Sequence, residues 1–192
     1  MLREYAALTL AGLAPGARVS EPPEPERVGL DDPAFSVMTD LAAIPAASIA
    51  PERSIEEANT LMVERRVRLL FVLDADRAIA GVITATDILG EKPMRFMRER
   101  GIARNEVLVE DIMTPATLLE AITMQDVAQM RVGHILATLR AVRRQHLMAA
   151  EDGGRRVRGL FSASRVARQL GIEVQTTEVA LTFSEIEAAL AH

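Results

Sequence analysis

The segment Gly81-Val-Ile-Thr-Ala-Thr-Asp87 decides how this chain folds, because a weaker copy of it stands at Gly159-Leu-Phe-Ser162. A second motif is also repeated, since Val37-Met38-Thr39 can be laid over Ile112-Met113-Thr114. The two motifs are separated by similar lengths of chain in both halves, so a few insertions bring the halves into register. Two copies of one structural unit are the simplest explanation.

The first copy is predicted to form strand, helix, strand, strand and helix. Recognisable residues mark where these elements begin and end. Ser54-Ile-Glu-Glu57 is a capping box that begins a helix, because the serine can accept from an orphan amide while the glutamate reaches back. The uninterrupted apolar run Leu69–Leu73 predicts a buried strand. After a turn at Asp74–Arg77, the run Ala78–Ile83 predicts the third strand, and Thr84–Asp87 begins a short helix.

The second copy follows the same order with less regular motifs. Its predicted elements are a helix marked by apolar residues from Val132 to Val142, a strand at Leu147–Ala150, a turn at Glu151–Gly154, a strand at Val157–Phe161, and a helix from Ser162 to Gly171. A connecting helix between the copies is expected from Pro93 to Arg100, closed by Gly101.

The chain also carries extensions at both ends. Apolar residues from Leu2 to Leu13 have the spacing of a short amphipathic helix, and the prolines and carboxylates of Glu21–Arg27 predict a linker. Beyond Gly171 the sequence predicts a strand near Val179 and a helix capped at Thr182–Glu185.

Composition narrows the class of protein. The chain has 192 residues, of which 49% are hydrophobic and 26% charged, a balance typical of a folded globular protein. Because it lacks cysteine, metal sites with thiolate ligands are excluded. Because its net charge is −5, binding to nucleic acid is not expected. No run of about 18 apolar residues suggests a membrane span and no signal peptide is evident, so we expect a cytoplasmic protein.

In their order and repetition, these motifs resemble those of the CBS domain family. Asp111-Ile-Met-Thr-Pro115 is similar to the start of a CBS repeat, Leu70-Phe-Val-Leu-Asp74 to its central strand, and Gly81–Asp87 to its Gly-x-x-Thr-x-x-Asp ending. The second copy departs from the pattern. Gln145–Ala149 is a poor match to the central strand, and Arg165 stands where the final aspartate is expected.

The resemblance, which spans about residues 37–172, implies a tandem pair of repeats, known as a Bateman module. The expected fold is α/β (α+β), with two tandem βαββα repeats packed through their sheets and extensions at both termini. The expected division is an extension and linker at residues 1–30, a first repeat at 31–92, a connecting helix at 93–106, a divergent second repeat at 107–172, and a strand and helix extension at 173–192.

The resemblance also implies two clefts between the repeats, which in many members hold AMP, ADP, ATP or S-adenosylmethionine. A carboxylate in the first turn of a helix can accept from both ribose hydroxyls, so Asp87 is a candidate ligand residue, with Thr84 beside it. Both residues also satisfy a plain capping pattern. By position, Arg68 and, in the second copy, Arg144 are candidates for contact with phosphate.

The second cleft is expected to differ from the first. Ser162 and Arg165 serve it, and an arginine cannot accept from ribose hydroxyls. We therefore expect one adenosine ligand per chain, beside Asp87, while the other cleft holds a different anion or is closed by a salt bridge.

An enzyme is not expected. The repeats fill most of the chain, and the sequence offers no pairing of a nucleophile with a base and no glycine loop that cradles phosphate. No metal site is predicted from the three histidines, which are far apart in sequence, and no cofactor is expected other than a regulatory adenine nucleotide. The functional expectation is a sensor that acts as a homodimer on an unidentified protein, and the alternative is a ligand-free interaction or scaffolding module.

Overall fold

The computed structural model of the chain describes residues 8–19 and 27–172, together with Ile186, Ala188 and Ala189. Residues 8–13 of the predicted N-terminal helix are not helical. Leu8, Leu10 and Leu13 are about 90% exposed, so they have no apolar surface to pack against, and a short helix without packing is marginal. Four predicted features lie outside the described residues: residues 2–7 of that helix, residues 21–26 of the linker, the strand near Val179 and the cap at Thr182–Glu185. Ile186, Ala188 and Ala189 are helical.

Two four-stranded sheets form the centre of the described chain. In spatial order, the first sheet contains β2 (Ser48–Ile49), β3 (Leu69–Leu73), β4 (Ile79–Thr84) and β5 (Thr114–Pro115), and the second contains β6 (Ala121–Thr123), β7 (His146–Glu151), β8 (Arg156–Ser162) and β1 (Thr39–Asp40). In each sheet the first pair of strands is parallel and the other two pairs are antiparallel. The two sheets therefore have the same internal arrangement.

Seven α-helices accompany these sheets within the described residues. They are α1 (Ile55–Arg65), α2 (Ala85–Leu89), α3 (Glu91–Arg100), α4 (Val109–Ile112), α5 (Met124–Val127), α6 (Val132–Ala141) and α7 (Ala163–Gln169). The helix α1 begins at the predicted capping box, in which Ser54 N donates to Glu57 Oε2 over 2.9 Å. The connecting helix α3 begins two residues before the predicted start and ends, as predicted, at Gly101. No helix in this part of the chain is long and apolar enough to cross a membrane.

The first segment of each repeat packs into the other repeat. We call these segments, Ala34–Asp40 and Val107–Pro115, the lead-in segments. Ala34, Val37 and Met38 belong to the core of the second repeat, and β1 pairs with β8. Conversely, Val107, Val109 and Ile112 belong to the core of the first repeat, and β5 pairs with β4. The two repeats are thus joined by a reciprocal exchange that the sequence motifs alone do not reveal.

Two glycines allow the lead-in segments to approach the sheets closely. A methyl group added at Gly81 would lie 2.5 Å from the carbonyl oxygen of Thr114, and one added at Gly159 would collide with the side chain of Met38. At Gly81 the backbone of the neighbouring strand leaves no room for a side chain, whereas at Gly159 the close neighbour is the flexible side chain of Met38.

The sheets face each other through a third apolar cluster. Leu69, Phe71 and Val82 of the first sheet pack against Met148 of the second, with Leu160 beside them. Burial of apolar surface is the dominant favourable contribution to folding, so this cluster fixes the two repeats against each other. The predicted fold, two α/β repeats packed through their sheets, is confirmed.

Candidate functional site

At the end of the first repeat, the polar side chains bond to one another. Thr84 is the N-cap of α2, and Asp87 Oδ2 accepts from the Thr84 amide over 2.8 Å and from its hydroxyl over 2.6 Å. Asp87 Oδ1 lies 2.6 Å from Lys92 Nζ, and the Asp87 side chain is only 12% exposed. Both carboxylate oxygens therefore already have partners.

The end of the second repeat is more open. Ser162 occupies the N-cap of α7 without making a side-chain capping bond, and its hydroxyl instead lies 3.0 Å from that of Ser164. Arg165 is exposed and donates from Nη1 to Thr39 Oγ1 over 2.7 Å. Thr39 lies in the lead-in segment of the first repeat, so this site combines residues from distant parts of the chain.

A cleft of about 770 Å³ lies between the two repeats beside Ser162 and Arg165. We call it the arginine cleft, because its lining includes Arg65, Arg66, Arg68, Arg165 and Arg168. The structure thus brings three of the six predicted ligand residues together: Arg68, Ser162 and Arg165. The other three, Thr84, Asp87 and Arg144, are not part of this lining.

Arg68 is the most enclosed arginine of the cleft. Its Nη2 atom is buried and has no hydrogen-bond partner among the described residues. Burial lowers the pKa of its guanidinium from the ordinary value, since a charged group loses solvation there. An anionic group within reach would compensate for that loss.

The strand register corrects the correspondence between Arg68 and Arg144. The Arg68 carbonyl accepts from Ala85 N over 3.0 Å, and in the second repeat the equivalent bond runs from Ala163 N to the Gln145 carbonyl over 2.9 Å. The structural counterpart of Arg68 is therefore Gln145. Arg144 lies one residue earlier and forms an ion pair with Glu120 over 3.2 Å.

His146 lies in the lining of the arginine cleft, opposite Ser162 in the β7–β8 ladder. Its pKa is lowered to about 4, chiefly by burial and further by the positive charge of Arg68, whereas the charge of Asp87 acts in the opposite direction. No pattern in the sequence indicates that this histidine lies near those two groups. Within the part of the chain that the structure describes, no cluster of three or more His, Cys, Asp or Glu side chains could hold a metal ion.

Sequence reasoning missed Thr39, Arg65, Arg66 and Arg168 as possible site residues. The run of arginines from Arg65 to Arg68 and the spacing of Arg165 and Arg168 along one helix were visible signals. Only the packing of the repeats shows that these two groups of arginines face the same cleft.

A second and larger cleft, of about 1170 Å³, lies between the β3–β4 and β7–β8 hairpins. Its lining mixes the two signs of charge, with acidic Glu120, Glu151 and Asp152 and basic Arg77, Arg155 and Arg156. Arg156 pairs with Glu151 over 3.3 Å and with Asp152 over 3.5 Å. The charges of this cleft are therefore at least partly neutralised within the protein.

Comparison with known proteins identifies the type of the first repeat. Residues 34–93 match the family model described as "CBS domain". No protein of curated function matches the sequence of the chain.

Three solved structures show the same fold. An uncharacterized conserved protein from Pyrococcus horikoshii is 24% identical, with a TM-score of 0.56 over 78% of this chain and all of that one. CBSX2, from Arabidopsis thaliana, in complex with AMP is 19% identical, with a TM-score of 0.50 over 71% of this chain and 94% of that one. The CBS domain pair of protein MJ0100, in complex with 5′-methylthioadenosine and S-adenosyl-L-methionine, is 18% identical, with a TM-score of 0.50 over 70% of this chain and 96% of that one.

Proposed function

Since the chain is a tandem CBS-domain protein, we propose that it is a non-catalytic regulatory module that binds an adenosine-containing ligand between its two repeats. The observation that carries this proposal is the arginine cleft, with its guanidinium groups, hydroxyls and apolar side chains. A volume of about 770 Å³ lies within the range of small-molecule sites, roughly 300–1,000 Å³.

The side chains of the cleft suit the separate parts of such a ligand. Leu69, Phe71 and Leu160 offer apolar surface that can cover a base, while the Ser162 and Ser164 hydroxyls can bond to polar groups. The arginines can make charge-assisted hydrogen bonds to phosphate or carboxylate groups. Two proteins of the same fold hold AMP or S-adenosylmethionine and 5′-methylthioadenosine, which supports an adenosine compound as the ligand.

The contacts of Asp87 favour the arginine cleft over the alternative that the sequence suggests. A ribose beside Asp87 would have to compete with Thr84 and Lys92 for the two carboxylate oxygens. Among the described residues, Arg165 makes one hydrogen bond, to Thr39 Oγ1, and its other donors remain available to a ligand. We therefore place one ligand per chain beside Arg165.

Thermal unfolding of the full chain with AMP, ADP, ATP, S-adenosylmethionine and cyclic dinucleotides tests this proposal. A bound ligand at 100 times its dissociation constant should add about 2.7 kcal/mol of stability. Calorimetric titration of Arg165→Ala should then show affinity weakened by about tenfold or more, since a hydrogen bond to a charged partner is lost. No stabilisation by any of these compounds would contradict the proposal.

A ligand-free interaction module is the second candidate. It is favoured by the segment at residues 8–19, where Leu8, Leu10, Leu13 and Val19 are each at least 89% exposed. Such side chains commonly serve as anchors for a partner protein. The absence of any ligand effect on unfolding, together with loss of partner binding when this segment is removed, would favour this candidate.

We also propose that the module acts as a homodimer on a regulated protein that is still unidentified. The helices that cover the first sheet expose apolar side chains on their outer side: Val63 is 70%, Leu89 66% and Met94 56% exposed. A second copy could cover this surface. Light scattering should give twice the mass of the chain, and a monomer at micromolar concentration would contradict the dimer. The cytoplasmic location stays a prediction from the sequence.

A further inference from the structure

The charged side chains that line the arginine cleft are all basic. The five arginines are accompanied by no aspartate or glutamate in the lining that the described residues form. Within that part of the chain, Arg65, Arg66, Arg68 and Arg168 also have no acidic partner. Like charges that face one concave surface raise its potential together, so the cleft attracts anions.

The larger cleft between the hairpins does not share this excess of positive charge. The larger cleft between the hairpins also contains three arginines, but three acidic side chains accompany them. Asp40, which lies in the same lead-in segment as Thr39, is held by Arg158 through bonds of 2.6 and 2.8 Å and is not part of the arginine cleft. The arginine content of the whole chain therefore does not explain the concentration of unpaired charge at this one place.

We propose that the arginine cleft selects its adenosine ligand by the number of phosphates, and that it binds ATP and ADP in preference to AMP and excludes S-adenosylmethionine. The inference rests on the proposed function and adds the class of ligand. Each additional phosphate brings negative charge and acceptor oxygens, and planar guanidinium groups can bond to these in pairs.

S-adenosylmethionine is a poor fit to the same cleft. It carries a sulfonium and an ammonium group against one carboxylate, so its cationic centres would lie among arginines. Asp87, the carboxylate expected at such a site, lies outside the lining and is paired with Lys92. Like charges in a confined site repel, and this cost opposes binding.

Calorimetric titration of the full chain with ATP, ADP, AMP, adenosine, S-adenosylmethionine and inorganic tripolyphosphate tests the inference. ATP should bind at least about tenfold more tightly than AMP, and its affinity should fall as salt is raised. Arg65→Ala and Arg168→Ala should reduce the preference for ATP over AMP, because each removes one guanidinium from the cleft. Arg95→Ala is the matched control, since it also removes an arginine but lies on α3 outside the cleft. The Nε atom of Arg95 lies 4.0 Å from Glu99 Oε1.

The outcomes separate this inference from the proposed function. Equal affinity for ATP and AMP, or tighter binding of S-adenosylmethionine, would overturn the selection by phosphate number while leaving an adenosine module intact. Tripolyphosphate that binds as tightly as ATP would support the polyanion site but contradict recognition of adenosine. No binding by any of the six compounds would overturn both proposals.

Discussion

The two repeats end at equivalent places in the fold but carry opposite charges there. Thr84 and Ser162 lie opposite Leu69 and His146 in matching positions of the two sheets. Three residues further on, the first repeat has Asp87, which is closed within a capping box and an ion pair, and the second has the exposed Arg165. The backbone frame of the repeat is thus kept in both copies, while the chemistry of its ending is not. Binding chemistry cannot be transferred from one copy to the other by symmetry alone.

The largest expected difference between the copies is in how pH affects stability, and it comes from the equivalent residues Leu69 and His146. Because the pKa of His146 is about 4 in the folded protein, against 6.5 ordinarily, the unfolded chain binds a proton between these pH values and the folded chain does not. Stability should therefore fall as pH falls from about 6.5 to 4, by up to roughly 3 kcal/mol. His146→Leu, which copies the first repeat, should remove this loss, as measured by urea unfolding across the pH range.

Ser162→Ala provides the control for this experiment, since it changes the residue opposite His146 without removing a titratable group. It should leave the pH dependence between 6.5 and 4 nearly as in the natural chain. The pKa of Asp40 is lowered to about 2, mainly by its bonds with Arg158, so its contribution to stability is lost only below the ordinary value of 3.8. A pH dependence that persists unchanged in His146→Leu would show that the histidine is not the group responsible.

The two close-approach glycines should respond unequally to the same substitution. Gly81→Ala places its methyl group against the Thr114 carbonyl, which belongs to the backbone of β5 and cannot turn away. It should destabilise the protein by about 1–3 kcal/mol. Gly159→Ala should cost less, because the flexible side chain of Met38 can change rotamer.

Chemical denaturation of both variants measures this difference. Gly12→Ala is the neutral reference, since nothing lies within 4 Å of an added methyl group there. Equal losses of stability at Gly81 and Gly159 would mean that the backbone at Thr114 moves aside as easily as the side chain of Met38.

Asp87→Ala and Arg165→Ala should separate stability from binding. Loss of the capping bonds at Asp87 should destabilise the protein by about 1 kcal/mol with little change in nucleotide affinity. Arg165→Ala should change stability by less than about 0.5 kcal/mol, because the residue is exposed, while it weakens nucleotide binding. Unfolding curves and calorimetry on the same samples give both quantities, and the reverse pattern would place the ligand beside Asp87.

Much of the local structure follows from short-range chemistry. The capping boxes at Ser54 and Thr84 and the buried run Leu69–Leu73 lie where the sequence predicts them, because each depends on neighbours within a few residues. The N-terminal helix fails at residues 8–13 for the opposite reason. Its apolar spacing requires a surface to pack on, and the described residues offer none.

By itself, the sequence determined that the chain is a duplicated α/β unit with capped helices and buried strands, since repetition and periodicity are properties of the order of residues. Only the tertiary structure decided which residues share a cleft. The exchange of the lead-in segments brings Thr39 beside Arg165, and the packing of the two sheets brings Arg68 to the same side. Such contacts join residues more than 90 positions apart, so they depend on the burial of the whole apolar core and leave no signal in any local pattern.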